Sequence, residues 1–209
     1  MTVLPLEGRR FLADLAVNND RAWFEAHRAD FTRFVQEPLR ALAATLAPTM
    51  AALDPLIETD PRRGVVSRIH RDTRFSADKS PYRTRMWVGF KRPGKDWPAR
   101  PAFFIEATAE DSRHGMGFYS ASPATMRALR AAAQARPETF AAALEAATAA
   151  GFRIEGQEYA RPRLPDGLPP VVAPLFRLKS VHVERAEGDI ADGFRSLAPL
   201  YERLLAACP

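Results

Sequence analysis

Cysteine and long apolar runs are scarce in this sequence, and each scarcity narrows the class of protein. The only cysteine, Cys208, cannot form a disulfide within the chain, which is unlike a secreted disulfide-rich domain and favours a reducing compartment. No segment approaches the roughly 18 consecutive apolar residues of a membrane-spanning helix. The N-terminal segment carries charges where a signal peptide has its apolar centre. We therefore expect a cytoplasmic protein without a membrane partner.

Several common cofactor and catalytic motifs are also missing. The sequence has no GxxxxGK[ST] phosphate loop, no strand-first GxGxxG and no GxSxG nucleophile turn. The histidines stand far apart, without HxxxH or HExxH spacing and without a cysteine pair: His27, His70, His114 and His182. We therefore expect no metal and no cofactor, and a metal site assembled from distant elements is the alternative.

The composition is that of an ordinary globular protein. The chain has 209 residues, of which 46% are hydrophobic and 26% are charged, and this length favours one domain. The net charge of +5 is unevenly distributed, because residues 60–100 hold twelve Lys or Arg and only four Asp or Glu. This basic segment indicates a surface that attracts phosphates, nucleic acid or acidic ligands. The alternative interpretation is a solvated, arginine-rich sheet edge.

Hydrophobic spacing predicts one domain, 1–209, in four sections. They are a helical section (1–53), a sheet with a motif loop (54–120), a pair of helices (122–150), and strands with a closing helix (152–206). We expect an α+β fold in which an antiparallel sheet of about five strands is flanked by N-terminal, central and C-terminal helices.

Element boundaries follow from the periodicity and from turn residues. Predicted helices are a segment around Leu4–Leu15, a run from Arg21 to Leu53 that Pro38 should kink or divide, Ser122–Ala135, Pro137–Ala150 and 189–206. Predicted strands are Gly64–Arg71, Tyr82–Lys91, Ala102–Thr108, Met116–Ser120, Phe152–Glu158 and Ser180–Arg185. The segment between the first two strands is rich in turn formers and carries the most unusual residues of the chain.

This segment, Arg68–Arg85, reads RIHRDTRFSADKSPYRTR. Guanidinium groups bind phosphate or carboxylate through paired hydrogen bonds, so we predict an anion site in this loop. The candidate ligand-binding residues are Arg68, Arg71, Arg74, Lys79, Tyr82 and Arg83. Asp72 and His70 are the candidate acid–base or orienting groups. The structural alternative is that Asp72 and Asp78 pair with these arginines and only hold the loop together.

Three stretches together resemble a known family. They are NNDRAWFEAHR from Asn18, the segment Arg68–Arg85, and HGMGFYSASPATMRALR from His114, with LKSVHVER near the end. This pattern resembles an uncharacterised family of conserved hypothetical proteins, a domain of unknown function found in bacteria and fungi. The family motif R-D-T-R-F-S-x-D-K-S-P-Y-[KR]-T corresponds to residues 71–84, with Arg83 where relatives commonly have lysine. The resemblance implies a shared architecture and a shared central motif, and it implies no activity.

The expected function is the binding of a small anionic or phosphorylated ligand by the motif loop, either in a binding protein or in an enzyme. A non-catalytic module that binds protein or nucleic acid is the second hypothesis, although no known nucleic-acid module matches the sequence. A purely structural role of the motif is the third.

Overall fold

The computed structural model describes residues 3–208, and helices make up most of the chain outside the sheet. The helices are α1 (Leu6–Val17), α2 (Arg21–Ala26), α3 (Arg28–Phe31), α4 (Glu37–Leu53), α5 (Pro123–Ala135), α6 (Pro137–Ala149), α7 (Pro174–Arg177), α8 (Ile190–Ser196) and α9 (Ala198–Ala206). A π-helical segment covers Thr32–Gln36, and short 3-10 turns cover Trp97–Ala99 and Pro170–Val172. Within the described residues, no helix is both long and apolar enough to cross a lipid bilayer.

The predicted long helix from Arg21 to Leu53 is divided, and the π-helical segment lies directly before α4. Pro38 stands in the first turn of α4, where it cannot donate a hydrogen bond to the carbonyl of Phe34. The chain adapts by a wider turn, in which the amide of Glu37 donates to the carbonyl of Thr32. A methyl group on Gly8 would lie 2.2 Å from the Phe34 oxygen, so glycine allows α1 to approach this turn.

Five antiparallel strands form one sheet in the order β1-β2-β3-β5-β4. They are β1 (Met86–Phe90), β2 (Pro101–Ala107), β3 (Ser112–Phe118), β4 (Arg153–Glu155) and β5 (His182–Arg185). The predicted α+β architecture, with an antiparallel sheet and flanking helices, is therefore confirmed.

Two predicted strands and the closing helix are partly wrong. Gly64–Arg71 is not a strand and forms only isolated bridges, from Val66 to Val88 and from His70 to Tyr82. The predicted strand Tyr82–Lys91 is shorter and is β1 (Met86–Phe90). The backbone of Tyr82 cannot extend β1, because its N–H and C=O both bond to the side chain of Asn19. The predicted helix 189–206 is two helices that meet at Leu197, since Pro199 supplies no amide donor to continue the first.

Alternation of side chains gives the sheet two different faces. The inner face is buried, and α4, α8 and α9 pack on it; its residues include Met86, Val88, Phe90, Phe103, Ile105, Met116 and Val183. The opposite face of β1, β2, β3 and β5 is called the open face here. It carries Trp87, Gly89, Ala102, Phe104, Glu106, Arg113, Gly115, Gly117, His182 and Glu184. The open face is where the basic segment and the sheet meet.

A buried polar cluster ties the helices to the end of β1. The carboxylate of Asp54, which is 4% exposed, accepts hydrogen bonds from Arg92 at 2.6 Å and from the Tyr201 hydroxyl at 2.5 Å. Burial raises the pKa of Asp54, but the bonds from Arg92, Tyr201 and the amide of Leu56 outweigh it, so the net pKa is lowered. Burial and the neighbouring carboxylate raise the pKa of Tyr201. The cluster fastens α9 to the segment that follows α4.

Candidate functional site

The motif loop is held closed by Arg71. Its guanidinium pairs with Asp78 and also donates to the carbonyl of Ser80 and the hydroxyl of Ser76, both at 3.3 Å. Asp78 in turn accepts bonds from the amide and hydroxyl of Ser80 at 2.9 and 2.6 Å. These Ser80 bonds, followed by the Arg71 ion pair, lower the pKa of the Asp78 carboxyl. The ion pair between Asp78 and a motif arginine, which the sequence offered as the structural alternative, is therefore present.

A second ion pair lies on the outer side of the loop. Arg74 donates from Nε and Nη2 to Asp72 at 2.9 and 2.7 Å. This contact, with the amide of Arg74, lowers the pKa of Asp72 to about 2. Both side chains are more than half exposed, so the pair contributes little to stability. Lys79 donates to the carbonyl of Thr73 at 3.0 Å.

Tyr82 anchors the loop to the N-terminal helices. The side-chain amide of Asn19 accepts from the Tyr82 N–H and donates to its C=O, each at 3.0 Å. The Tyr82 ring is 3% exposed and stacks on Phe24 with centroids 4.1 Å apart. His70 is exposed and packs at the outer edge of Tyr82, with centroids 5.2 Å apart. The segment NNDRAWFEAHR and the central motif are thus parts of one substructure.

An open cavity of about 810 Å³ lies between the motif loop and the open face of the sheet. The sheet supplies its floor, the motif supplies one rim through Arg71, Asp78 and Ser80, and Trp97 and Tyr119 stand at the cavity as well. Its volume is in the range of roughly 300–1,000 Å³ that is typical of sites for small molecules. The cavity is large enough for a ligand the size of a nucleotide.

Positive charge exceeds negative charge in this cavity. Five cationic side chains line it, Arg71, Arg83, Arg85, Lys91 and Arg113, against three carboxylates, Asp78, Glu106 and Glu184. Among the cations, Arg71, Arg85 and Arg113 are in ion pairs.

Arg83 and Lys91 differ from the other cations of the cavity, because within residues 3–208 neither forms an ion pair with a carboxylate. Arg83 donates to the carbonyl of His70 at 3.2 Å, and its guanidinium carbon lies 4.5 Å from the ring centroid of Trp87. Lys91 lies 4.1 Å from the ring centroid of Trp97, and burial lowers the pKa of its ammonium group. These two side chains hold the uncompensated positive charge of the cavity.

The opposite side of the cavity contains a network that crosses three strands. Arg113 on β3 pairs with Glu106 on β2 at 2.7 Å and with Glu184 on β5 at 3.1 Å. Burial opposes the charge on Arg113, but the two carboxylates outweigh it and raise its pKa. Glu184 is 6% exposed, and its Oε2 has no hydrogen-bond partner among the described residues. The Nε2 of His182 lies 3.4 Å from that oxygen.

A comparison with protein-family models matches residues 7–197 to a family described as conserved hypothetical protein (DUF2461). The match covers nearly the whole chain. The chain belongs to the DUF2461 family. This confirms the family resemblance drawn from the sequence. A search of curated proteins found no match for the chain, so the function of this DUF2461 protein has to be argued from the site itself.

The structure separates the sequence-predicted site residues of this DUF2461 protein into two groups. Arg71, Tyr82 and Arg83 line the cavity. The remaining candidates lie on exposed positions outside the lining: Arg68, His70, Asp72, Arg74 and Lys79. The described part of the chain also contains no group of three or more His, Cys, Asp or Glu side chains that could hold a metal ion.

Sequence reasoning did not select Lys91, Glu106, Arg113 or Glu184 as site residues of this DUF2461 chain. One signal was available for Glu106, which alternates with buried residues along a strand that was predicted from its period of two. The residues of the network are distant in sequence and become neighbours only through the strand register, in which Glu106 faces Arg113 and Gly115 faces Glu184.

Proposed function

We propose that this protein is a cytoplasmic protein that binds a small organic anion, a phosphate or a carboxylate, in the cavity on the open face of the sheet. One observation carries the proposal: Arg83 and Lys91 line the cavity without a carboxylate partner in the described chain. A half-buried cation without a counter-charge is costly, and a bound anion would supply that counter-charge. The single cysteine supports the proposed compartment, because it cannot form a disulfide within the chain.

The remaining cations of the cavity play supporting parts in this proposal. Arg71 pairs with Asp78 and holds the rim of the cavity in place. Arg85 and Arg113 share Glu106, so a carboxylate of the chain already balances their charge. The anionic group of the ligand is therefore expected on the β1 side, between Arg83 and Lys91.

Isothermal titration calorimetry with ribose 5-phosphate, AMP and nicotinate as probes tests the proposal. Lys91→Met and Arg83→Met remove each charge but keep an apolar stem. Each lost charge-assisted contact costs about 1.5–3 kcal/mol, so the Kd of a bound probe should rise roughly tenfold to a hundredfold. Arg127→Met is the matched control, because it removes an exposed charge on α5, outside the cavity.

A further variant separates the cavity from the motif loop. Arg74→Met removes a motif arginine that points away from the cavity, and it should leave the Kd unchanged. The proposal is wrong if no probe binds at millimolar concentration. It is also wrong if Arg74→Met weakens binding as much as Lys91→Met, because the loop surface would then hold the anion.

A second candidate function, nucleic-acid binding through the motif loop, is favoured by Phe75. This side chain is 95% exposed at the loop, and the guanidinium carbon of Arg74 lies 5.8 Å from its ring centroid. An exposed aromatic ring beside cations is a common platform for single-stranded bases. Such binding should weaken steeply with added salt and should be lost in Phe75→Ser. The absence of any mobility shift at low salt would remove this candidate.

A further inference from the structure

Gly89 creates a space in the open face of the sheet. It stands on β1 between Trp87 and Lys91, whose Cα atoms are about 13 Å apart along an extended strand, and its register partner on β2 is Phe104. A Cβ built on Gly89 would meet only one atom of the described residues within 4 Å, Trp87 Cδ1 at 3.9 Å. The backbone at Gly89 has no positive φ, so its conformation does not require glycine.

The other open-face glycines have a different reason to be glycine. A Cβ on Gly115 would lie 1.9 Å from the carbonyl oxygen of Val183, and one on Gly117 would lie 2.4 Å from the Cα of His182. Both allow β5 to approach β3 closely. A glycine inside a strand marks close approach either of a backbone or of a ligand. At Gly89 no backbone atom of the described chain lies within 4 Å of an added Cβ, which leaves room for a ligand to approach the strand.

Gly89 lines the cavity together with aromatic rings and with Arg83 and Lys91, the two cations that have no carboxylate partner among the described residues. Trp87, Phe104 and Trp97 all line the cavity. Arg83 lies over Trp87 with 4.5 Å between its guanidinium carbon and the ring centroid, and Lys91 lies over Trp97 at 4.1 Å. Rings in such positions stack on planar groups or meet them edge to face. A ligand with its own aromatic ring would gain contacts with these rings in addition to those with the cations.

We infer that the ligand is an aromatic ring that carries a phosphate or carboxylate group, with the ring in the space over Gly89 and the anionic group between Arg83 and Lys91. This inference rests on the proposed function and adds the class of ligand to it. The aromatic side chains of the cavity are the feature that favours a ligand with a ring.

Matched probes test the ring and the anion separately. AMP and ribose 5-phosphate share a phosphate, and only AMP has an aromatic base. Nicotinate and acetate share a carboxylate, and only nicotinate has an aromatic ring. Adenosine has the base of AMP but no anionic group. Stacking on aromatic side chains makes AMP or nicotinate bind roughly tenfold to a hundredfold more tightly than its ring-free partner. The pair that shows this margin identifies the anionic group, and adenosine should bind more weakly than AMP.

Gly89→Leu places a branched side chain in this space from a Cβ that meets no backbone atom within 4 Å, and Gly89→Ala is the control that leaves most of it open. Gly89→Leu should abolish the margin between the ringed and ring-free probes, and Gly89→Ala should retain the margin. An unchanged thermal midpoint verifies that Gly89→Leu is folded.

Equal affinities for ringed and ring-free probes, both weakened by Lys91→Met, would overturn this inference and leave the proposed function standing. A margin that persists in Gly89→Leu would place the ring elsewhere and overturn it as well. If no probe binds at all, both the inference and the proposed function are wrong.

Discussion

His114 lies on the inner face of β3 with 3% of its surface exposed, and it makes the stability of this protein dependent on pH. Its Nε2 accepts a hydrogen bond from Arg185 at 3.1 Å. Burial, and after it the charge of Arg185, lower the pKa of His114 from 6.5 to about 4. Asp189 acts in the opposite direction but is outweighed. The imidazole is therefore neutral in the folded protein at pH 7.

The magnitude follows from the difference between the folded and the unfolded pKa of His114. One pH unit corresponds to about 1.4 kcal/mol, so charging this side chain in the fold costs about 3 kcal/mol. Between pH 6.5 and 4 the unfolded chain binds a proton on His114 and the folded chain does not. The free energy of unfolding should therefore be fully retained above pH 6.5 and fall by about 3 kcal/mol as the pH drops to 4.

Urea denaturation of the wild type and of His114→Gln at pH 7.5, 5.5 and 4.5 measures this effect. Glutamine keeps an acceptor for Arg185 but does not titrate, so the stability difference between the two proteins should shift by about 2 kcal/mol or more in favour of the variant toward pH 4.5. His70→Gln is the control for the same substitution at an exposed position. If the free energies of unfolding of the wild type and His114→Gln changed in parallel with pH, folding would not lower the pKa of His114.

Other contacts give predictions for stability, each measured by urea denaturation. Tyr201→Phe removes the hydroxyl bond to buried Asp54 at 2.5 Å and should cost about 1.5–3 kcal/mol; an unchanged midpoint contradicts this. Asn19→Ala removes both bonds to the backbone of Tyr82 and should cost about 1–3 kcal/mol, with faster amide exchange in the motif, whereas unchanged exchange argues against the anchor. Gly117→Ala forces β3 and β5 apart and should cost about 1–3 kcal/mol or more; wild-type stability would be inconsistent with the close approach.

Local signals explain why much of the fold could be predicted from the sequence. Ser122 accepts a hydrogen bond from the amide of Thr125 and caps α5, and Gly151, with φ +85°, follows the end of α6. The alternation of Phe103 and Ile105 with outward residues marks β2. Each of these features depends on neighbours in the sequence, so a period or a cap is enough to identify it.

Elements that depend on distant partners were predicted less well. The segment Gly64–Arg71 was predicted as a strand, but it makes only scattered backbone bonds to residues 81–87, such as the one from the Ser67 amide to the Trp87 carbonyl. The strand β3 begins at Ser112, whereas the predicted strand begins at Met116. The early part was missed because two glycines interrupt the alternation of side chains, and the structure explains them by the close approach of β5. No local pattern contains that information.

The candidate site also combines residues that local sequence patterns identified with residues that only the sheet brings together. The motif was recognised as the unusual part of the chain, and it does form one rim of the cavity. Lys91 and Glu184 belong to the cavity only because the sheet brings β1, β2, β3 and β5 side by side. The sequence left open whether Asp72 pairs with a motif arginine, and in the structure it pairs with Arg74, which lies outside the cavity lining.

A crystal structure of the protein grown with AMP shows directly where the anionic group binds. The phosphate should lie in the cavity, within hydrogen-bond distance, about 3 Å, of Arg83 or Lys91. A phosphate bound instead to Arg74 and Lys79 on the outer side of the motif loop, with the cavity occupied only by solvent, would contradict this prediction.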